Sequence, residues 1–282
     1  MIILKNEFVI AKISEVGAEL KSLVFNGTEY IWEGKPEIWN ESCPILFPIC
    51  GGLKEDKYTL NGKEYILQKH GYVRYKTFNI ESVKENTAVF LHKSDEDTKK
   101  QFPFDYELRV IYTLTDKKLK IDYSVINKSS DTMYFNIGSH EGYCTPEGIE
   151  DYDVIFSQKE TLNSCAVYGN LLSNNTFPVI KDSEFLPLYE KFFTIDALIF
   201  KDIKSRSAML RNRKNGRSIR VDFPDDNYFL IWHKPRSPYI CLEPWNGIPD
   251  TVDSSFDIAK KEGITKLDGK SEYKHTHSIT LI

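Results

Sequence analysis

The stretch Tyr106-Glu107-Leu108-Arg109-Val110-Ile111-Tyr112-Thr113-Leu114, followed by Thr115-Asp116-Lys117-Lys118 and then Leu119-Lys120-Ile121-Asp122-Tyr123-Ser124-Val125-Ile126-Asn127, decides the fold. Apolar and polar side chains alternate on both sides of a polar turn. Alternation of period two gives a strand one apolar face, which a helix of the same composition would scatter, so the segment predicts an antiparallel hairpin. Working outward, Asn26-Gly27, Asn61-Gly62, Asn215-Gly216 and Asp268-Gly269 predict four more hairpin turns, since such pairs accept the positive φ of a type I′ turn. Helical signals are few. Ser94 to Gln101 is short and polar, and Ser254 with Asp257 predicts a capping box for a brief helix ending near Gly263. Strands do not alternate with long helices, and no repeat is present, so a doubly wound parallel sheet is not expected. The expectation is an all-β chain: one domain over residues 1–282, a large antiparallel β-sandwich with few short helices and functional loops along one face.

Composition narrows the function classes. A formal charge of −4 and a pI near 5.9, with no basic stripe, argue against nucleic acid as partner. No segment is apolar for long enough to span a bilayer, and Met1 to Asn6 lacks the charged and apolar regions of a signal peptide. Cys43, Cys50, Cys144, Cys165 and Cys241 are odd in number and have no C-x-x-C spacing, so they read as scattered thiols. A cytoplasmic location with no membrane partner is expected. Nothing in the sequence sets an oligomeric state.

The stretch Tyr239-Ile240-Cys241-Leu242-Glu243-Pro244-Trp245 places one carboxylate in a run that otherwise reads as a buried strand. Desolvating an ionised Glu is costly unless something pairs with it or needs it. Asn246-Gly247-Ile248-Pro249-Asp250 is turn-forming, so Glu243 is expected where a strand leaves the core for a loop.

Two histidines have contexts that suit such a carboxylate. His70 lies in Gln68-Lys69-His70-Gly71-Tyr72-Val73-Arg74, where Gly71 permits close backbone approach and Arg74 offers a rigid donor fork to ligand oxygens. His140 lies in Gly138-Ser139-His140-Glu141-Gly142, between two glycines after a strand-like run. Each alone is as easily a structural histidine; together with Glu243 they suggest reversible proton transfer. Trp32, Trp39, Trp232 and Trp245 read singly as core-edge aromatics, with Trp245 the one favoured as a platform for a sugar ring. His275 and His277 would share a strand face, but they lack further ligands, and no metal site is expected. His92 reads as solvated, and His233 is expected to border the same site as Trp232, without a specific role. Phosphate loops, dinucleotide fingerprints, H-E-x-x-H and G-x-S-x-G elbows are all missing.

His70-Gly71-Tyr72-Val73-Arg74, Gly138-Ser139-His140 and Cys241-Leu242-Glu243-Pro244-Trp245-Asn246-Gly247-Ile248-Pro249-Asp250 occur in the order and approximate spacing of the aldose 1-epimerase (galactose mutarotase-like) family, which the chain resembles over nearly its whole length, most closely the LacX-type branch. The resemblance implies a galactose mutarotase-like supersandwich that interconverts the α and β anomers of a small-molecule sugar without a cofactor. It also implies Glu243 as general base on the anomeric hydroxyl, His140 as general acid on the ring oxygen, and His70 and Asp196 as sugar-binding residues. Arg74 and Trp245 are expected to join them as cleft walls.

Two departures bear on the substrate. Many members of the family carry an arginine where this chain has Gly52, and no basic residue precedes the Pro44-Ile45-Leu46-Phe47-Pro48 segment as in hexose-6-phosphate-specific members. Arg74 or Lys54 could still meet a phosphate, and a free sugar is the weakly favoured substrate. Two other classes stay open: a non-catalytic sugar-binding or sensory protein, and a glycosidase or lyase, the former kind needing a second carboxylate such as Glu141 or Asp250 facing Glu243.

Overall fold

In the computed structural model, which describes residues 1–282, the fold-deciding hairpin forms as expected. Tyr106–Thr115 and Lys118–Asn127 pair from Tyr106↔Asn127 to Thr115↔Lys118, leaving a two-residue loop with Asp116 at φ 49°. Burial alternates residue by residue along Tyr106–Thr115. A slip of one residue would turn Leu108, Val110 and Tyr112 out to water, at about 1.5–3 kcal/mol for each fully buried apolar side chain, so the pattern holds the register.

This hairpin belongs to a nine-stranded antiparallel sheet. In spatial order its strands are Leu171–Pro187, Tyr152–Tyr168, Ser207–Asn212, Ser218–Asp222, Glu272–Leu281, Lys118–Asn127, Tyr106–Thr115, Thr87–Lys93 and Asn79–Val83. A six-stranded sheet holds Leu198–Phe200, Tyr228–Trp232, Tyr239–Trp245, Gly138–Ser139 and Ile45–Leu46 in order, with Glu141–Cys144 also paired to Tyr239–Trp245. A four-stranded sheet is built from Ile2–Lys5, Val9–Ile13, Leu20–Phe25 and Thr28–Glu29. Sixty-two buried residues drawn from all three sheets form one core. The fold is thus the large antiparallel β-sandwich expected, with one short α-helix, Glu96–Gln101, capped by Asp95 and Thr98. No helix is long and apolar enough to cross a membrane.

Tyr239–Trp245 is buried at every position, and its two faces differ. Ile240 and Leu242 join the main core, whereas Tyr239, Cys241 and Trp245 pack in small clusters on the opposite side. Glu243 shares that opposite side, because side chains alternate along a strand.

Local turn chemistry decides where the hairpin expectations hold. Asn26-Gly27 and Asn61-Gly62 have positive φ at both residues and close two-residue hairpins. At Asn215-Gly216 only the glycine has positive φ; the hairpin between Ser207–Asn212 and Ser218–Asp222 instead closes through a longer loop, where Asn212 Oδ1 accepts from the Lys214 and Asn215 N–H groups. Asp268-Gly269 makes no hairpin: Thr265–Leu267 pairs with Met133–Phe135, and Glu272–Leu281 enters the nine-stranded sheet. The Ser254–Asp257 capping box does not form either. The Ser254 hydroxyl turns back to Thr251, and Asp257 caps a single 3-10 turn, Ile258–Lys260. His92 is buried and not solvated; its Nδ1 meets the Tyr106 hydroxyl at 3.1 Å, because its alternating position in Thr87–Lys93 faces the core.

Candidate active site

The site is assembled by sheet register. Gly138↔Trp245 and Glu141↔Leu242 are antiparallel partners of one continuous register, which sets His140 opposite Glu243. Opposite residues of an antiparallel pair lie on the same face with Cβ atoms about 5 Å apart. The His140 Nε2 to Glu243 Oε2 distance is 3.5 Å. Pro244, facing Ser139 in that register, has no N–H for the ladder, and the Ser139 carbonyl accepts from the Trp245 indole N–H at 2.9 Å. The glycines flanking His140 admit the neighbouring rings: a Cβ at Gly138 would stand 2.7 Å from Trp245 and one at Gly142 2.8 Å from Trp39. Glu243 thus lies two residues before the end of its strand, where the chain leaves for the Asn246–Asp250 loop, as expected.

His70 comes from a turn in which both it and Gly71 have φ of 67°. A side chain at Gly71 would strike the Phe47 carbonyl at 2.2 Å, so glycine is required there. The His70 N–H donates to the Gly51 carbonyl at 2.9 Å, and the Gly51 N–H donates to His70 Nδ1 at 3.1 Å. With Nδ1 an acceptor, the neutral ring carries its proton on Nε2. The His70 ring stands edge-on to His140 at 5.6 Å and to Trp245 at 5.5 Å.

These groups line a cavity of about 450 Å³, within the size range of small-molecule sites. All six residues expected from the sequence reach it: Glu243, His140, His70, Arg74, Asp196 and Trp245. Arg74 is held by Glu41 at 3.2 Å, and its buried Nε has no partner. Sequence reading missed Trp39, Trp232, Lys69 and Asn170, which also line it. Trp39 and Trp232 pack edge to face at 5.5 Å and each lies against His140, at 5.1 and 5.5 Å. Their only sequence signal was a tryptophan beside charged or turn residues, which Trp32 shares; yet Trp32 stacks on Tyr239 away from the cavity.

Other candidates lie elsewhere. His277 Nε2 pairs with Glu141 at 2.7 Å and His275 Nε2 with Asp226 at 3.0 Å, both pairs buried. Glu141 thus faces away from Glu243, as its alternate position on the strand requires, and cannot serve as an opposed catalytic carboxylate. Asp250 is committed to Lys261 at 3.2 Å and to the Lys54 N–H at 3.0 Å. His233 is buried against the Tyr239 carbonyl and Glu190.

Electrostatics at the pair follow from burial. Desolvation pushes the Glu243 carboxyl well above the ordinary carboxylate range; Glu141 and Asp196 push the same way and Lys69 opposes. Desolvation also pulls His140 down to about 3, aided by the positive charges of Lys69 and Arg74, and holds His70 well below the usual imidazole range. Both Glu243 oxygens are buried without a hydrogen-bond partner, as is His140 Nδ1. Carboxylic acid with neutral imidazole, and carboxylate with imidazolium, carry the same total charge. A proton can therefore enter at one group and leave from the other without a new net charge being buried.

Comparison with known proteins fits this arrangement. The family model described as aldose 1-epimerase matches residues 1–277. The chain is similar to the plasmid-borne and chromosomal forms of Protein LacX from Lactococcus lactis subsp. lactis, each 33% identical over 99% of this chain and 98% of the relative. Among solved structures, a galactose mutarotase related enzyme from Lactobacillus acidophilus superposes with a TM-score of 0.95 at 34% identity, covering 100% of this chain and 97% of that one. A galactose mutarotase-like protein from Lactobacillus casei ATCC 334 gives 0.94 at 30% identity, with both chains covered 100%.

Proposed function

The chain belongs to the aldose 1-epimerase family, and from that premise we propose that it interconverts the α and β anomers of an aldose by ring opening and closure. In this reading the Glu243 carboxylate takes the proton of the anomeric hydroxyl while His140 gives one to the ring oxygen. The C1–O5 bond breaks as the C1 carbonyl forms, the open aldehyde rotates about C1–C2, and attack of the O5 hydroxyl on either face of C1 recloses the ring with the proton movements reversed. His70, through Nε2–H, holds a sugar oxygen; Asp196 and Arg74 take further hydroxyls, and the tryptophans cover the apolar C–H face. The single observation that supports this most is the pair itself: a buried carboxylate with two unpartnered oxygens, facing an imidazole at 3.5 Å on the wall of a sugar-sized cavity. A positioned acid and base each contribute roughly 10²–10⁴-fold.

Polarimetry tests the reading. Freshly dissolved α-D-glucose or α-D-galactose should reach anomeric equilibrium faster with the protein than in buffer, and Glu243→Gln and His140→Asn should each abolish the effect. Sugar binding by calorimetry without acceleration of any aldose would establish a non-catalytic carbohydrate-binding protein instead.

One observation favours a second reading, an aldose 6-phosphate as substrate. Lys69 lines the cavity beside Arg74 and makes no ion pair with a carboxylate, so it is available to an anion. Phosphorylated and free sugars run in the same assay separate the two.

A further inference from the structure

Strands Tyr152–Tyr168 and Leu171–Pro187 form a long hairpin, and its end brings Val167 and Asn170 to the cavity wall. We propose that Asn170 is a specificity-determining residue whose carboxamide hydrogen-bonds one hydroxyl of the sugar, and that Gly52 is there to let it in. The proposal rests on the reading of the cavity as an aldose site.

Three observations carry it. First, the hairpin turn occupies the space that a side chain at position 52 would need: a Cβ on Gly52 would stand 2.8 Å from the Asn170 carbonyl oxygen and 2.9 Å from its Cβ. Contacts below 3.0 Å do not occur between real Cβ atoms and backbone, so any larger residue at 52 displaces the turn.

Second, the turn is fastened to the segment that follows the Glu243 strand. The Asp250 N–H donates to the Gly52 carbonyl at 2.9 Å, and the Asp250 carbonyl accepts from the Leu172 N–H at 2.8 Å. The Val252 N–H donates to the Leu172 carbonyl at 2.9 Å, and the Asn174 side chain donates to Asp253. Asp250 is itself held by the buried Lys261 and by the Lys54 N–H. A hairpin end tied this firmly to the loop that follows the Glu243 strand is a preorganised wall, and preorganised donors and acceptors are what discriminate hydroxyls.

Third, Asn170 is an exposed residue on the cavity wall whose carboxamide makes no hydrogen bond within the protein, so both its donor and its acceptor are open to a ligand. A carboxamide offers both a donor and an acceptor, which suits a hydroxyl better than a phosphate.

The test is Asn170→Ala, assayed with the parent aldose and with its 2-, 3-, 4- and 6-deoxy analogues. The variant should lose about 5- to 10-fold in kcat/KM for the parent sugar through KM, with kcat within about twofold and an unchanged melting temperature. One deoxy sugar should be handled equally by variant and wild type, which identifies the hydroxyl. Gly52→Ala should reproduce the loss with Asn170 intact. Dissociation constants from tryptophan fluorescence in a Glu243→Gln background repeat the comparison without turnover, so the inference is decided even if the protein proves to be no epimerase. Equal affinities for wild type and Asn170→Ala across the whole panel, or no binding of any aldose, would overturn it.

Discussion

His140 faces Glu243 across an antiparallel strand pair, 3.5 Å from ring nitrogen to carboxylate oxygen, because Gly138↔Trp245 and Glu141↔Leu242 fix the register between them. Two ionisable groups on one cavity wall are thereby joined by the main-chain ladder instead of by loops. The arrangement leaves the carboxylate desolvated, and that cost has measurable consequences.

Because the folded-state pKa of Glu243 is raised, its contribution to stability is fully present below the unfolded value of about 4.3 and is lost as pH rises through the folded one. Glu243→Gln cannot ionise. Chemical denaturation as a function of pH should show the variant gaining on the wild type as pH rises from 4 to 9 while its mutarotase activity is lost. A constant stability difference across that range would contradict the assignment of a raised pKa.

His277 gives a second pH dependence of the same sign from a different cause. Its pKa is raised by Glu141 in spite of its burial, so the stability it supplies is complete below about 6.5 and declines as pH climbs through the folded value. His277→Gln should flatten that decline and destabilise the protein by roughly 3–5 kcal/mol at pH 6, since it strands the Glu141 charge. Urea midpoints at pH 6 and pH 9 measure both effects.

Trp245→Phe keeps an aromatic side chain but is smaller and lacks the indole N–H that satisfies the Ser139 carbonyl beside Pro244. A loss of about 1–3 kcal/mol is expected for a buried acceptor left without its donor. The His140 side of the pair should loosen with it, lowering kcat more than stability alone explains; differential scanning calorimetry alongside polarimetry separates the two.

Gly71→Ala should be worse than a usual surface change. The added carbon meets the Phe47 carbonyl and the residue must hold φ of 67°, so His70 is displaced from Gly51. We expect a loss of about 1–3 kcal/mol from backbone strain and a raised KM, whereas His70→Gln should raise KM with little change in melting temperature. Thermal shift and initial-rate measurements on both variants make the comparison.

What could be read from the chain, and what could not, divides along the range of the forces involved. The period-two pattern of Tyr106–Asn127 and the Asn-Gly pairs specify strands and turns locally, so the all-β fold was legible, as were the motifs carrying Glu243, His140 and His70. Asp268-Gly269 misled because a turn pair states only that the chain can reverse, not that the flanking strands are partners. His92 was misread as solvated, and Trp39 and Trp232 could not be told from Trp32, because burial depends on which face of a strand meets which sheet. The cavity itself belongs to tertiary structure alone: register sets His140 against Glu243, packing at Gly138 and Gly142 seats Trp245 and Trp39, and a hairpin more than a hundred residues from Gly52 brings in Asn170. Those contacts form between residues remote in the chain, and no local pattern encodes them.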